Sequence, residues 1–307
     1  MPFSDLWDVL VLGLVLGSLY AVIAIGYTLV YGVLQLLNFA HSEVFMFGGF
    51  GGLIMLTLVA PPAAPSGMQS ALYVVLGISA GAALGATVAY GLEKVAYRPL
   101  RRRHAPRLVF LITAIGASFF LYNLVGKVFG RNTSAMPSMF ENRTLFTLFG
   151  TRVSINQLLI VVAAVLMLIT VDYVVNRTKL GSGIRAVAQD PEVAALMGVN
   201  IDKVVSRTFV IGGLMGGAAG FLYGMTNQVW YTMGFLPGIT AFAAAVLGGI
   251  GNVRGAMLGG LLLGLVEQFT VEFWGDSWRY VGAFAVLVLV LMFRPTGILG
   301  ERIARAA

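Results

Sequence analysis

Asn38, His41, Ser42 and Glu43 fall within six consecutive positions between two apolar runs, 9–33 and 44–60. Side chains of these types cap helices, hold polar solutes or pass protons, and the spacing alone leaves two readings open. In one, Asn38 or Ser42 takes the free backbone amides of the next helix, and Glu43 is favoured at its positive end. In the other, the polar break lines a translocation path or its gate, because unwound backbone in a membrane is tolerated only inside protein or around water. A second constellation occupies 190–198. Asp190 suits an N-cap, Pro191 the first helical position, Glu192 the first turn and Gly198 the position beyond the end, so a short helix with firm stops is predicted. Val193, Leu196 and Met197 then share one face. An apolar face on a polar loop needs cover, from the chain's own helices or from a groove in a soluble partner, and the partner is the expectation.

Other chemistries are excluded by what the residues lack. There is no cysteine, hence no disulfide, thiolate metal site or thiol nucleophile, and two histidines, His41 and His104, are too few for a histidine-rich metal site. None of the four lysines stands in a phosphate-binding loop: Gly126-Lys127 is followed by Val128, and position 121 is Leu. ATP hydrolysis by that loop is therefore ruled out. Among acids near apolar segments, Asp172 lies close to Arg177 and Glu272 close to Asp276, which leaves Glu267 as the deep one. No catalytic triad or carboxylate pair is evident, and no series of acids and bases that a proton-driven carrier needs. The chain reads as a non-enzyme with no cofactor and no metal.

The elements that must position these residues are membrane helices. Of the 307 residues, 58% are apolar and only 11% charged, against about 25% charged in an ordinary soluble domain. Candidate spans are 9–33, 44–60, 71–92, 108–129, 157–175, 207–228, 238–251, 255–273 and 280–293. Two of them, 44–60 with four glycines and the short 238–251, are candidates for broken or re-entrant helices. The expected fold is all-α: one polytopic integral membrane domain over 1–307, with about eight to nine transmembrane helices. Its sequence pI near 9.8 would suggest nucleic acid in a soluble protein, but the basic residues sit in loops beside the spans, so no nucleic-acid partner is expected. Fifteen of the twenty Lys and Arg fall in the loops 94–107 and 177–207, at Arg254 and from Arg294 onward, which makes those segments cytoplasmic. Nine crossings then put the amino end outside and the carboxyl end inside. The first span lacks a basic leader and is expected to remain uncleaved. The stretch 127–156 reads as an outer cap, and the Pro61, Pro62 and Pro65 linker as a stiff outer turn. Glycines at 212, 216, 220 and 224, and at 251, 255 and 259, recur every four residues and predict close helix packing, or mobile helices of a gate. The arginines at 101–103 read as a topology signal in contact with anionic lipid.

Several segments together resemble one known family. They are Gly17-Ser18-Leu19-Tyr20-Ala21, Gly26-Tyr27-Thr28-Leu29-Val30-Tyr31-Gly32, Asn38-Phe39-Ala40-His41-Ser42-Glu43, and Glu93-Lys94-Val95-Ala96-Tyr97-Arg98-Pro99-Leu100. The run at 190–200 joins them, with Ala244-Ala245-Val246-Leu247-Gly248-Gly249-Ile250-Gly251 and Arg294-Pro295-Thr296-Gly297-Ile298-Leu299-Gly300. Over nearly its full length the chain is similar to the membrane permease subunits of bacterial branched-chain amino-acid ABC importers, of the LivH type. Ser42 stands where that family's usual pattern has Gly. The resemblance implies residence in the bacterial inner membrane, a periplasmic substrate-binding protein, a second homologous permease and two cytoplasmic ATP-binding subunits. It also implies that Asp190, Pro191, Glu192, Val193, Leu196, Met197 and Gly198 couple the permease to ATP hydrolysis. Close relatives move urea or short amides, which keeps that substrate class open, and the residues alone leave room for a self-sufficient channel or ion-coupled carrier.

Overall fold

A backbone surrounded by hydrocarbon must satisfy its own hydrogen bonds, and long apolar runs do so by becoming helices. In this protein, described by a computed structural model over residues 3–62, 67–137, 139–140, 144–148 and 150–300, that is the outcome. Pro65, parts of the 127–156 stretch and the basic residues beyond 300, all used in the sequence reading, lie outside the described residues. Helices α1 (Phe3–Leu34), α2 (His41–Val59) and α3 (Gly67–Leu92) open the chain, and a π-helical turn, Glu93–Tyr97, carries α3 into α4 (Arg98–Arg102). Then follow α5 (Arg107–Val128), a hairpin of β1 (Thr144–Leu148) and β2 (Thr151–Ser154), α6 (Ile155–Arg177), α7 (Lys179–Gln189) and α8 (Pro191–Leu196). The last helices are α9 (Ile201–Thr226), α10 (Phe235–Gly248), α11 (Val253–Trp274) and α12 (Arg279–Phe293). Among the described residues, eight helices are long and apolar enough to cross a membrane. The fold is an all-α polytopic membrane bundle, and its small antiparallel hairpin forms part of the cap at 127–156.

Both doubtful spans resolve in physical terms. The four glycines of 44–60 do not break α2: Gly48 and Gly52 lie too close to α9 to admit a side chain, Gly51 packs tightly on α3, and Gly49 faces the Met233 side chain. A Cβ on Gly81 would stand 2.7 Å from the Gly48 carbonyl oxygen and 2.9 Å from that of Gly217, so the backbones of α2, α3 and α9 converge there. Such contact is available only to residues without side chains. The span 238–251 is a 14-residue helix, too short to cross alone. It is preceded by the non-helical segment 227–234, which is fastened to the 127–156 stretch by a bridge between Ser134 and Val229.

The glycine series at 212, 216, 220 and 224 faces α1, α2 and the cap, while Gly213 and Gly217 face α3, so α9 is enclosed on two sides. Gly255 and Gly259 pack against α10, and Gly260 and Gly264 against α1. Gly251 does not belong to that helical series. It sits in the turn before α11 at φ +98°, a conformation that glycine adopts freely.

One face of the bundle gathers the basic loops. Beneath the π-helical turn, the Glu93 carboxylate, fully buried, accepts hydrogen bonds from Arg98 at 3.0 Å, Arg101 at 3.0 Å and Ser206 at 2.9 Å. Asp202 receives Arg101 and Arg102, which ties α4 to the start of α9. Arg254 pairs with Asp172 at 3.0 Å and joins α11 to the end of α6.

Candidate functional site

Helices α2 and α9 run parallel, with Phe45 against Gly220 and the His41 ring against Gly216. Gly216 is the sixteenth of the 26 residues of α9, a helix about 39 Å long at about 1.5 Å per residue. Helix α2 therefore begins partway along α9, and the segment 35–40 leads into the bundle to reach it. Gly234 and Gly238, at the start of α10, press on Ser42, and a Cβ at Gly238 would also stand 3.3 Å from the Tyr27 hydroxyl. So α10 begins at the same level, and the amino ends of two helices, which carry partial positive charge, meet inside the bundle.

The four polar residues of this break point in different directions. Asn38 is buried and accepts a 2.7 Å hydrogen bond from the Tyr97 hydroxyl, so it anchors the break to the π-helical turn. His41 is buried edge-on against the Tyr27 ring, with centroids 4.8 Å apart, in space left by Gly26 and Gly216. Ser42 donates to the Phe39 carbonyl at 2.8 Å, and Glu43 accepts from Ser42 at 3.2 Å and from Ser118 of α5 at 2.9 Å. Neither Asn38 nor Ser42 caps α2 with its side chain, which corrects the capping alternative. The second carboxylate oxygen of Glu43 is buried and has no hydrogen-bond partner in the structure.

Beside this point lies a cavity of about 220 Å³, lined by Tyr27, Ser42, Ser118, Tyr122 and Gly238, with Phe39, Ile115, Phe119, Phe235, Ile239 and Phe242 forming its apolar wall. It offers a few hydroxyls to a polar group and aromatic faces to an aliphatic one. Of the four residues expected from sequence, only Ser42 touches it, and Glu43 stands behind Ser42 and Ser118. The α5 and α10 residues were not anticipated. Pro237 in the first turn of a run too short to cross is the signal that could have marked a helix starting inside the bundle. The glycine-rich α9 contributes nothing to the cavity wall.

The 190–198 segment folds as the residue types require. The Asp190 side chain accepts from the amides of Glu192 at 2.9 Å and Val193 at 3.0 Å, Pro191 opens α8, and Gly198 ends it at φ +85°. Ala194 is buried against the bundle, whereas Val193, Leu196 and Met197 are 54%, 87% and 80% exposed. Their apolar face is not covered by the described part of the chain. Deep in α11, Glu267 is fully buried and accepts a 3.0 Å hydrogen bond from the Tyr20 hydroxyl of α1. Among the described residues, no group of three metal-ligating side chains is present.

Eight membrane-length helices around a buried polar break and an apolar cavity define a polytopic membrane transport protein. Residues 9–293 match the family described as branched-chain amino acid transport system, permease component, and the chain belongs to that family. It is 43% identical over 297 residues to the high-affinity branched-chain amino acid transport system permease protein BraD of Pseudomonas aeruginosa, covering 95% of each chain. To the permease protein LivH of Escherichia coli K12 it is 38% identical over 296 residues, covering 94% of each. The fructose import permease protein FrcC of Rhizobium meliloti is 32% identical over 159 residues, covering 48% of this chain and 42% of that one. No solved structure matches the chain.

Proposed function

We propose that this chain is one half of the translocation pathway of an ABC importer for branched-chain amino acids in the bacterial inner membrane. The observation that carries the reading is the meeting of the α2 and α10 amino ends beside an aromatic-walled cavity, with the Glu43 carboxylate behind it. A branched-chain amino acid is a zwitterion with an aliphatic side chain. Positive helix ends suit its carboxylate, a buried carboxylate and serine hydroxyls suit its ammonium group, and Phe119, Phe235 and Phe242 suit the side chain. Asn38 and His41 hold the break in place, and Ser42 and Glu43 act at the gate itself. Substrate selection falls mainly to a periplasmic binding protein, and a second homologous permease supplies the other wall.

Two ATP-binding subunits dock from the cytoplasm on α8, whose exposed Val193, Leu196 and Met197 are the knob. In this reading the basic face is cytoplasmic, the amino end is outside and the carboxyl end inside. ATP binding and release shift the pathway between outward and inward openings by favouring one conformation over the other. The test is leucine uptake into proteoliposomes. Uptake should require the binding protein, the ATP-binding subunits and ATP together, whereas uptake by this chain alone would replace the proposal with a self-sufficient channel or carrier. Urea or a short amide outcompeting leucine would move the substrate class without moving the architecture.

A further inference from the structure

On the basic face, between the end of α3 and the start of α9, a cavity of about 420 Å³ is lined by Tyr90, Arg98, Arg102, Lys203 and Arg207, among others, with Asp202 its only acid. Two of the guanidinium groups are already spoken for: Glu93 holds Arg98, and Asp202 holds Arg102 at 2.8 Å. Lys203 and Arg207 are different. They lie one turn apart on α9, both exposed, and among the described residues neither pairs with a carboxylate. The Tyr90 ring is 40% exposed beside them, with the Lys94 ammonium 5.7 Å from its centroid. Above Tyr90, the exposed positions of α3 include Thr87, Ala83, Ser79, Val75 and Leu72, a stripe without charge. A tyrosine at the foot of an uncharged exposed stripe and cations reaching outward below it mark a membrane border.

We propose that this cavity binds a phosphate group, the phosphodiester of an anionic phospholipid in the same leaflet, with Lys203 and Arg207 as its ligands and Tyr90 against its glycerol region. The buried Glu93 cluster fixes the two supporting arginines, so the site is built before the lipid arrives. The position favours lipid over a docked protein because Tyr90, at the foot of the uncharged exposed stripe of α3, lines the same cavity as the two cations.

The test uses the assembled transporter in nanodiscs of mixed phosphatidylglycerol and phosphatidylcholine, with retained lipid counted by native mass spectrometry. Each juxtamembrane cation contributes about fivefold to anionic-lipid binding, so Lys203→Gln with Arg207→Gln should lower phosphatidylglycerol retention about twenty-fivefold. Lys203→Gln alone, about fivefold, carries the test if the double variant does not assemble. Lys179→Gln, on the same face but away from the cavity, should leave retention unchanged. Displacement of the lipid by millimolar inorganic phosphate would overturn the lipid source in favour of a soluble anion. Equal retention of the two lipids, or equal retention by wild type and variants, would overturn the site. Loss of the ATP-binding subunits with lipid retention intact would overturn it in favour of a protein contact.

Discussion

Leu196 offers the most direct perturbation, because it is 87% exposed in this chain and, in the proposed assembly, buried in another. Fully burying a leucine side chain contributes about 1.5–3 kcal/mol, so Leu196→Ala should weaken docking of the ATP-binding subunits by about thirtyfold. Leu196→Asp goes further, since an unpaired carboxylate in an apolar groove costs several kcal/mol more. The permease itself should not notice, because surface substitutions usually change stability by less than about 0.5 kcal/mol. One confounder is local: Leu196 ends α8, where a negative charge opposes the helix dipole by about 0.3–1 kcal/mol. Leu196→Lys removes it, because a cation there favours the helix while still clashing with an apolar groove. The assay is substrate-stimulated ATP hydrolysis in the reconstituted transporter, alongside co-purification of the subunits and the melting temperature of the permease. Both charged variants should lose stimulation with the melting temperature unchanged. If both retain stimulation near the wild-type rate, α8 is not the docking element.

Three further outcomes follow from the geometry. Glu43→Gln should lower transport per assembled complex about tenfold or more, since a hydrogen bond to a charged group is worth about 1.5–3 kcal/mol, while expression and basal ATP hydrolysis persist; normal turnover removes Glu43 from the gate. Gly81→Ala should destabilise the bundle by about 1–3 kcal/mol, read as a lowered melting temperature, because its new methyl meets two carbonyl oxygens on different helices and neither can yield as a flexible side chain would. In a chain without native cysteine, Thr133→Cys should react with an impermeant maleimide from outside and Ser182→Cys only after the membrane is opened; the reverse pattern inverts the orientation and removes α8 from the cytoplasm.

The helices were legible because their cause is local. A run such as 157–175 has only one way to satisfy its backbone in hydrocarbon, and α6 falls where its apolar residues lie. The 190–198 helix was legible for the same reason, since Asp190, Pro191 and Gly198 act on their immediate neighbours. The depth at which α2 begins was not legible. It depends on which neighbours stand beside His41, and those are Gly26 and Gly216, distant in sequence. The direction of each polar side chain was hidden too: Asn38 is claimed by Tyr97 of the π-helical turn, and Glu43 by Ser118 in the middle of α5. Gly251 misled because a spacing of four describes a helix only if the helix has already begun.

The arrangement of glycines also divides the bundle into parts that move together and parts that are free to move. Backbones of α2, α3 and α9 converge at Gly48, Gly81 and Gly217, and α1 meets α11 at Gly17 and Gly264, with no side chains between them to slide or repack. The cavity's remaining walls are α5 and α10. Helix α5 presents Ile115 and Phe119 at its exposed surface, and α10 exposes Phe235 and hangs between a non-helical outer segment and the turn at Gly249. In the proposed mechanism, a force delivered at α8 would pass into α9 through the short connection that Asn200 caps at the amide of Lys203. Because α9 meets α2 backbone to backbone, that force would reach the polar break at the start of α2. The proposed gate then falls where this glycine-packed three-helix unit meets α5 and α10, and that junction is where Ser42, Glu43 and Ser118 stand.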